Sequence, residues 1–165
     1  MTERVSIVHP IPPEWSADSR ILILGSFPSV KSREIGFFYG HPQNRFWRLL
    51  ATLFDEPIPE TVDEKRALLR AHGIALWDVI GSCSIVGSSD ASITDAVPND
   101  ISRLLKGSRI ERIFVNGGKA AALYDRYILP TVGRAAIRLP STSPANAAWS
   151  LEQLVAAWKI IKEQP

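Results

Sequence analysis

Residues 21–24, Ile-Leu-Ile-Leu, are apolar without alternation and stop at Gly25. A strand with one wet face alternates apolar and polar positions, whereas one that is apolar throughout is covered on both sides. Ile110 to Val115 reads as a second buried strand, ending at Asn116-Gly117-Gly118. Around these strands the apolar period turns helical. Phe46, Leu49, Leu50 and Leu53 predict a helix over 44–54, broken by Pro57 and Pro59. Thr61 with Glu64 forms a capping box for a helix that stops near Gly73, and Ser150 with Gln153 caps a last helix striped by Leu151, Leu154, Val155, Trp158 and Ile161. Strands are expected at 74–80 and 135–139, short helices at 98–107 and 119–128, and long loops at 25–42, 81–97 and 140–149. Strands alternating with helices predict an α/β fold: a three-layer α/β/α domain with a mostly parallel central sheet, spanning 1–165 as one unit. In such sheets ligands bind outside the carboxyl ends of the strands, which singles out the polar loops 25–43, 116–119 and 140–149.

Several function classes drop out early. Cys83 is the single cysteine, so an intrachain disulfide, a thiolate zinc site and an iron–sulfur cluster all lack ligands. His9, His41 and His72 show no metal-ligand spacing, and no cofactor is expected. No apolar run nears the ~18 residues of a membrane span. Glu3, Arg4 and His9-Pro10 leave no room for an apolar signal core near the start, so a cytoplasmic address is the expectation; a monomer is expected as well. The net charge of +2 does not announce a polyanion partner, but its distribution says more. Residues 31–48 and 103–119 are basic stretches, 55–64 is acidic, and the thirteen arginines outnumber the six lysines. The planar guanidinium fork suits phosphate oxygens, although solvated helix faces would give the same count.

Familiar signatures fail. Gly118-Lys119 ends like a phosphate loop, but Ile113 and Ala120 stand at its other required positions. Gly25-Ser26-Phe27-Pro28 lacks the dinucleotide glycine spacing, and Gly81-Ser-Cys-Ser is no nucleophile elbow. What remains is Leu24-Gly-Ser-Phe-Pro-Ser29, Phe38-Tyr-Gly-His-Pro-Gln-Asn-Arg-Phe-Trp47, Val115-Asn-Gly-Gly-Lys-Ala120 and Leu139-Pro-Ser-Thr-Ser-Pro-Ala-Asn146. In order and spacing this set resembles the uracil-DNA glycosylase superfamily, most closely its DNA-deoxyinosine (hypoxanthine-DNA) glycosylase family, with the mismatch-specific uracil/thymine glycosylases next. The resemblance spans about residues 20–162. It implies a repair enzyme acting on DNA that contains a deaminated base.

The residues fit that chemistry. An enzyme that cleaves a base from a duplex flips it into a pocket, and needs an aromatic surface, edge-reading groups, a positioned water and phosphate contacts. Phe27, Phe38 and Tyr39 are candidates for stacking, which contributes about 1–3 kcal/mol per base, with Phe27 the favoured platform; Phe46 and Trp47, on a helix, are expected in the core. The resemblance implies a catalytic Asn at Asn44, which would also serve as a helix N-cap. An amide is no base, but it can orient the attacking water. The superfamily's other activating position, an Asp or Asn before the loop proline, is Phe27 here, which leaves Asn44 as the main catalytic candidate. His41 is a candidate donor to the leaving base, or else it locks the loop. Gly25, Ser26, Ser29 and Asn116 are expected to line the base pocket, with Asn116 either reading the base edge or closing a turn. Ser29 replaces the tyrosine of uracil-only members and should leave room for a purine. Lys31, Arg45, Lys119 and the loop Ser141, Thr142, Ser143, Pro144, Ala145 and Asn146 are expected on DNA. A non-catalytic nucleic-acid-binding domain and a small-molecule hydrolase using Ser26 and His41 are the competing readings.

Overall fold

A computed structural model describes residues 3–163. Its centre is a parallel sheet of four strands in the order β3-β2-β6-β7, formed by Ile74–Asp78 (β3), Ile21–Gly25 (β2), Arg112–Asn116 (β6) and Ile137–Leu139 (β7). All five residues of β2 are buried, as their unbroken apolar run requires, and β3 is equally enclosed. Helices flank this sheet: α2 (Phe46–Phe54) packs on α7 (Leu151–Trp158), α3 (Val62–Ala71) on β3, and α5 (Gly118–Leu123) on β6 and β7. The mostly parallel α/β architecture read from the sequence is therefore the one observed. Both capping boxes form, with Thr61 accepting from the Glu64 N–H and Ser150 from the Gln153 N–H. Phe46 and Trp47 lie in the core, as expected of a helix face.

The sequence reading missed a second sheet. Arg4–Val8 (β1), Ile80–Val86 (β4) and Thr94–Pro98 (β5) pair antiparallel in the order β1-β4-β5. The single expected strand over 74–80 is thus two, which meet at Val79, and the expected 81–97 loop is largely strand. Asn99 fixes the crossing point by donating from Nδ2 to the carbonyls of Asp78 and Ile80. The serines that suggested a loop are used as strand residues: Ser84 Oγ lies 3.2 Å from Ser6 Oγ, and Cys83 and Ile85 beside it are buried.

Two helices also differ. The 25–42 loop contains a short helix α1 (Val30–Ile35), capped by Ser29 and closed by Gly36 in the left-handed conformation. The helix expected to end at Ile128 continues through a π-helical turn at Tyr124–Ile128 into α6 (Leu129–Val132); α4 (Ile101–Gly107) falls where a short helix was expected. No helix among the described residues is long and apolar enough to cross a membrane.

Candidate active site

The four parallel strands end nearly level, because Gly25 pairs with Asp78, Leu24 with Val115, and Asn116 with Leu139. The loops leaving those ends enclose a cavity of about 370 Å³, within the ~300–1,000 Å³ range of small-molecule sites. Every residue expected to hold or act on a base lines it: Gly25, Ser26, Phe27, Ser29, Phe38, Tyr39, His41, Asn44 and Asn116, together with Ser141 to Ala145. A larger hollow of about 580 Å³, between α4 and residues 127–134, contains none of them.

A directed chain of hydrogen bonds orders the catalytic candidate. Asn44 Oδ1 accepts the Phe46 backbone N–H at 3.0 Å and the Thr142 hydroxyl at 2.9 Å. A backbone N–H only donates, which fixes the amide oxygen on that side and leaves the NH₂ as the group Asn44 offers the cavity. The same logic orients Asn116, whose Oδ1 accepts the Thr142 N–H at 3.1 Å while its Nδ2 donates to Thr142 Oγ1 at 3.0 Å. Protons therefore point one way, from the Asn116 amide to the Thr142 hydroxyl to the Asn44 oxygen. Thr142 was expected on a phosphate; it is fully buried and serves as this link instead. Asn116 lines the cavity with its amide engaged by Thr142, 26 residues on, so it ties two loops together rather than closing its own turn.

Arg45 was likewise expected on DNA. Its guanidinium instead donates to the carbonyls of Ser143 at 2.9 Å, Asn146 at 3.0 Å and Trp149, clamping the 140–149 loop to the start of α2. Ser141 and Ser143 accept the backbone N–H groups of Ser143 and Ala145, and Asn146 Nδ2 donates to the Ser141 carbonyl. Lys31 lies outside the cavity, exposed and 3.9 Å from Glu34.

The aromatic wall differs from expectation as well. Phe27 is only 7% exposed, its ring edge-on to His9 at 5.7 Å, and Phe38 is 2% exposed. Neither offers the open face of a stacking platform. Tyr39 sits at a left-handed φ of 52°, with its ring stacked on Phe46 at 4.0 Å. Its hydroxyl is buried without a hydrogen-bond partner, and burial, then the Asp78 carboxylate, hold the phenol well above its ordinary pKa. It stays protonated, a donor at the cavity floor. His41 Nδ1 accepts the Gln43 N–H at 3.1 Å, so the neutral ring carries its proton on Nε2.

Sequence reasoning missed four polar residues. Asp78 ends β3, and its Oδ2 lies 2.7 Å from His9 Nε2 in a pair whose side chains are 6% and 3% exposed. His9 Nδ1 accepts the Ile11 N–H, so Nε2 donates to the carboxylate. The other oxygen, Oδ1, stands 2.4 Å from where a Cβ on residue 25 would be, which is why only glycine fits there. Asp90, in the turn between β4 and β5, accepts from Ser26 Oγ at 2.8 Å. Arg138 lies with Lys119 along an adjoining hollow of about 550 Å³ that shares Asp90, Asn116 and Ser141 with the cavity. The strand-end rule that nominated Gly25 and Asn116 applies equally to Asp78; Asp90 carried no local signal at all.

The model of the uracil DNA glycosylase superfamily matches residues 12–162 of this chain. Two curated relatives, both called hypoxanthine DNA glycosylase, are similar over most of their length. The Methanosarcina acetivorans protein is 37% identical over 81% of this chain and 84% of its own, and the Methanosarcina barkeri protein 33% identical over 89% and 92%. A solution NMR structure from Methanosarcina acetivorans, described as a candidate uracil DNA glycosylase, superposes with a TM-score of 0.78 at 32% identity, covering 95% of this chain and 100% of that one.

Proposed function

The chain belongs to the uracil-DNA glycosylase superfamily, and on that premise we propose that it is a monofunctional DNA glycosylase that hydrolyses the N-glycosidic bond of deoxyinosine and releases hypoxanthine. The observation that carries this reading is the directed chain from Asn116 through Thr142 to Asn44, which aims a neutral amide into a cavity of about 370 Å³, with room for a two-ring base. The flipped nucleotide places its base in the cavity and its backbone along Lys119, Arg138 and the 140–149 loop. The Asn44 NH₂ holds the attacking water by its oxygen, so that orientation, worth several kcal/mol of barrier, replaces intrinsic basicity. Tyr39 and His41 are the donors on the base side, the first held protonated by burial and the second through Nε2–H. Ser29, small and turned toward α1 as its cap, keeps the wall open to a two-ring base. The two relatives named for hypoxanthine support this substrate over uracil or mispaired thymine.

The test is single-turnover incubation with duplexes carrying one inosine, uracil or mispaired thymine, followed by alkaline cleavage of abasic sites. Alkali-labile product is expected from inosine first, and borohydride should trap no protein–DNA adduct, because Lys119 serves as a phosphate contact rather than an amine nucleophile. Absence of abasic product from every duplex would return the chain to a binding role.

A further inference from the structure

Resting on that reading, hydrolysis needs one thing Asn44 cannot give: a group that takes a proton from the water and offsets the charge growing on the sugar. The cavity has few candidates. Tyr39 is held protonated, and His41 keeps its proton on Nε2 with Nδ1 occupied. Asp78 is bound by His9 and enclosed. Phe27, in the loop after β2, contributes only hydrocarbon.

Asp90 is different. It reaches this loop from 64 residues away, where Ser26 Oγ donates to its Oδ1 at 2.8 Å, one residue before Phe27. It is exposed, and it lines both the base cavity and the adjoining hollow that carries Lys119 and Arg138. With the base in the first and the DNA backbone along the second, the deoxyribose lies at their junction, beside this carboxylate. We propose that Asp90 is the catalytic carboxylate, accepting a proton from the water that Asn44 orients and, as an anion, stabilising the positive sugar. The water oxygen forms a bond to C1′ while the bond from C1′ to purine N9 breaks and its electron pair leaves with the base. The water's proton goes to Asp90 and from there to solvent, while the departing base anion is held by a hydrogen bond from His41 Nε2–H and takes its proton from solvent.

The groups whose charge or hydrogen bond acts on Asp90 are Ser26 after β2, Asp78 at the end of β3 and Lys119 in α5, and Asp90 in turn acts on Tyr39 before α2 and Cys83 in β4. Although much of the residue faces solvent, its carboxyl sits against the walls of the two hollows, and this partial loss of hydration above all, then Asp78, raise its pKa, against the opposing pull of the Ser26 hydrogen bond and Lys119. Excision should accordingly rise with pH along an acid limb placed above the ordinary carboxylate value of about 4.

The experiment is single-turnover inosine excision against pH, for wild type and Asp90→Asn, with duplex affinity and melting measured in parallel. Asp90→Asn should slow excision about a hundredfold, remove the acid limb, and keep affinity within a few-fold. A variant within threefold of wild type that retains the limb would overturn the assignment and reduce Asp90 to a tie between two loops. Should Asp90→Asn not fold, Ser26→Ala decides: losing a hydrogen bond to the charged form moves the acid limb upward, and an unmoved limb counts against the proposal. If the wild type itself excises nothing, the glycosylase reading fails and takes this assignment with it.

Discussion

The two halves of the cavity are built on opposite terms. The half formed by the parallel strands and the loops at 44 and 142 is closed on itself, since Asn116, Thr142, Asn44 and the Phe46 N–H satisfy one another in a fixed order. The half contributed by the antiparallel β4–β5 turn brings a charge, Asp90, held by one hydroxyl and open to solvent. Mutual hydrogen bonding fixes geometry, whereas an exposed carboxylate can change its protonation state during a reaction. Under the proposed mechanism, the comparison divides the work: the first half positions and the second half handles charge. Each can be removed separately.

Asn44→Ala removes the positioned amide outright and should give the largest effect, with single-turnover excision falling about a thousandfold while DNA affinity stays within a few-fold. Equal losses of rate and affinity would mean that Asn44 holds DNA rather than water. Next comes Ser29→Tyr, which adds a ring to the space assigned to the purine and deletes the cap of α1. Overpacking costs about 1–3 kcal/mol, so inosine excision should fall roughly tenfold to a hundredfold, with uracil excision affected much less. The ratio of the two rates is the readout. Loss of the cap, about 1 kcal/mol, should appear separately as a lower melting temperature. An unchanged ratio in a folded variant would detach Ser29 from base selection.

Thr142→Val keeps the shape of the buried link and deletes its hydroxyl. Asn44 Oδ1 still holds the Phe46 N–H, so excision should fall only about tenfold. The Asn116 amide loses its acceptor, and stability should drop by about 1–3 kcal/mol, measured by chemical denaturation. A thousandfold rate loss here would show that the chain itself, rather than Asn44, is the unit of catalysis. The smallest effect belongs to the rim. Lys119→Ala should weaken duplex binding a few-fold and reduce the slope of log affinity against log salt by about 0.9, the value for one neutralised phosphate. An unchanged slope would place the DNA backbone elsewhere.

The same division marks what was legible in the sequence. Ile21–Leu24, the two capping boxes and the α2 face each carry their signal within a few residues, and each forms where its pattern predicts. Strands β4 and β5 do not, because serines on a strand look like serines in a loop until Ser6 and Asp95 are seen beside Ser84. Phe27 was legible as an aromatic after a strand, but its burial against His9 depends on a segment 18 residues away. Asp90 depends on Ser26, 64 positions distant. Arg45 and Thr142 were found as residues and misjudged as contacts, since only packing reveals that their polar groups are already spoken for.

The Arg45 clamp has a consequence for association. A loop of small and polar residues such as 140–149 would ordinarily sample many conformations and lose that freedom when it meets a duplex, at about 1–2 kcal/mol per fixed residue. Here one guanidinium pins three of its carbonyls to the residue next to Asn44. The entropy of ordering is therefore lost once, during folding, and not again at each damaged site. On the proposed function, an enzyme that inspects many undamaged positions for every one it repairs would meet each of them with a pre-ordered loop, whose register to the Asn44 amide is set before contact.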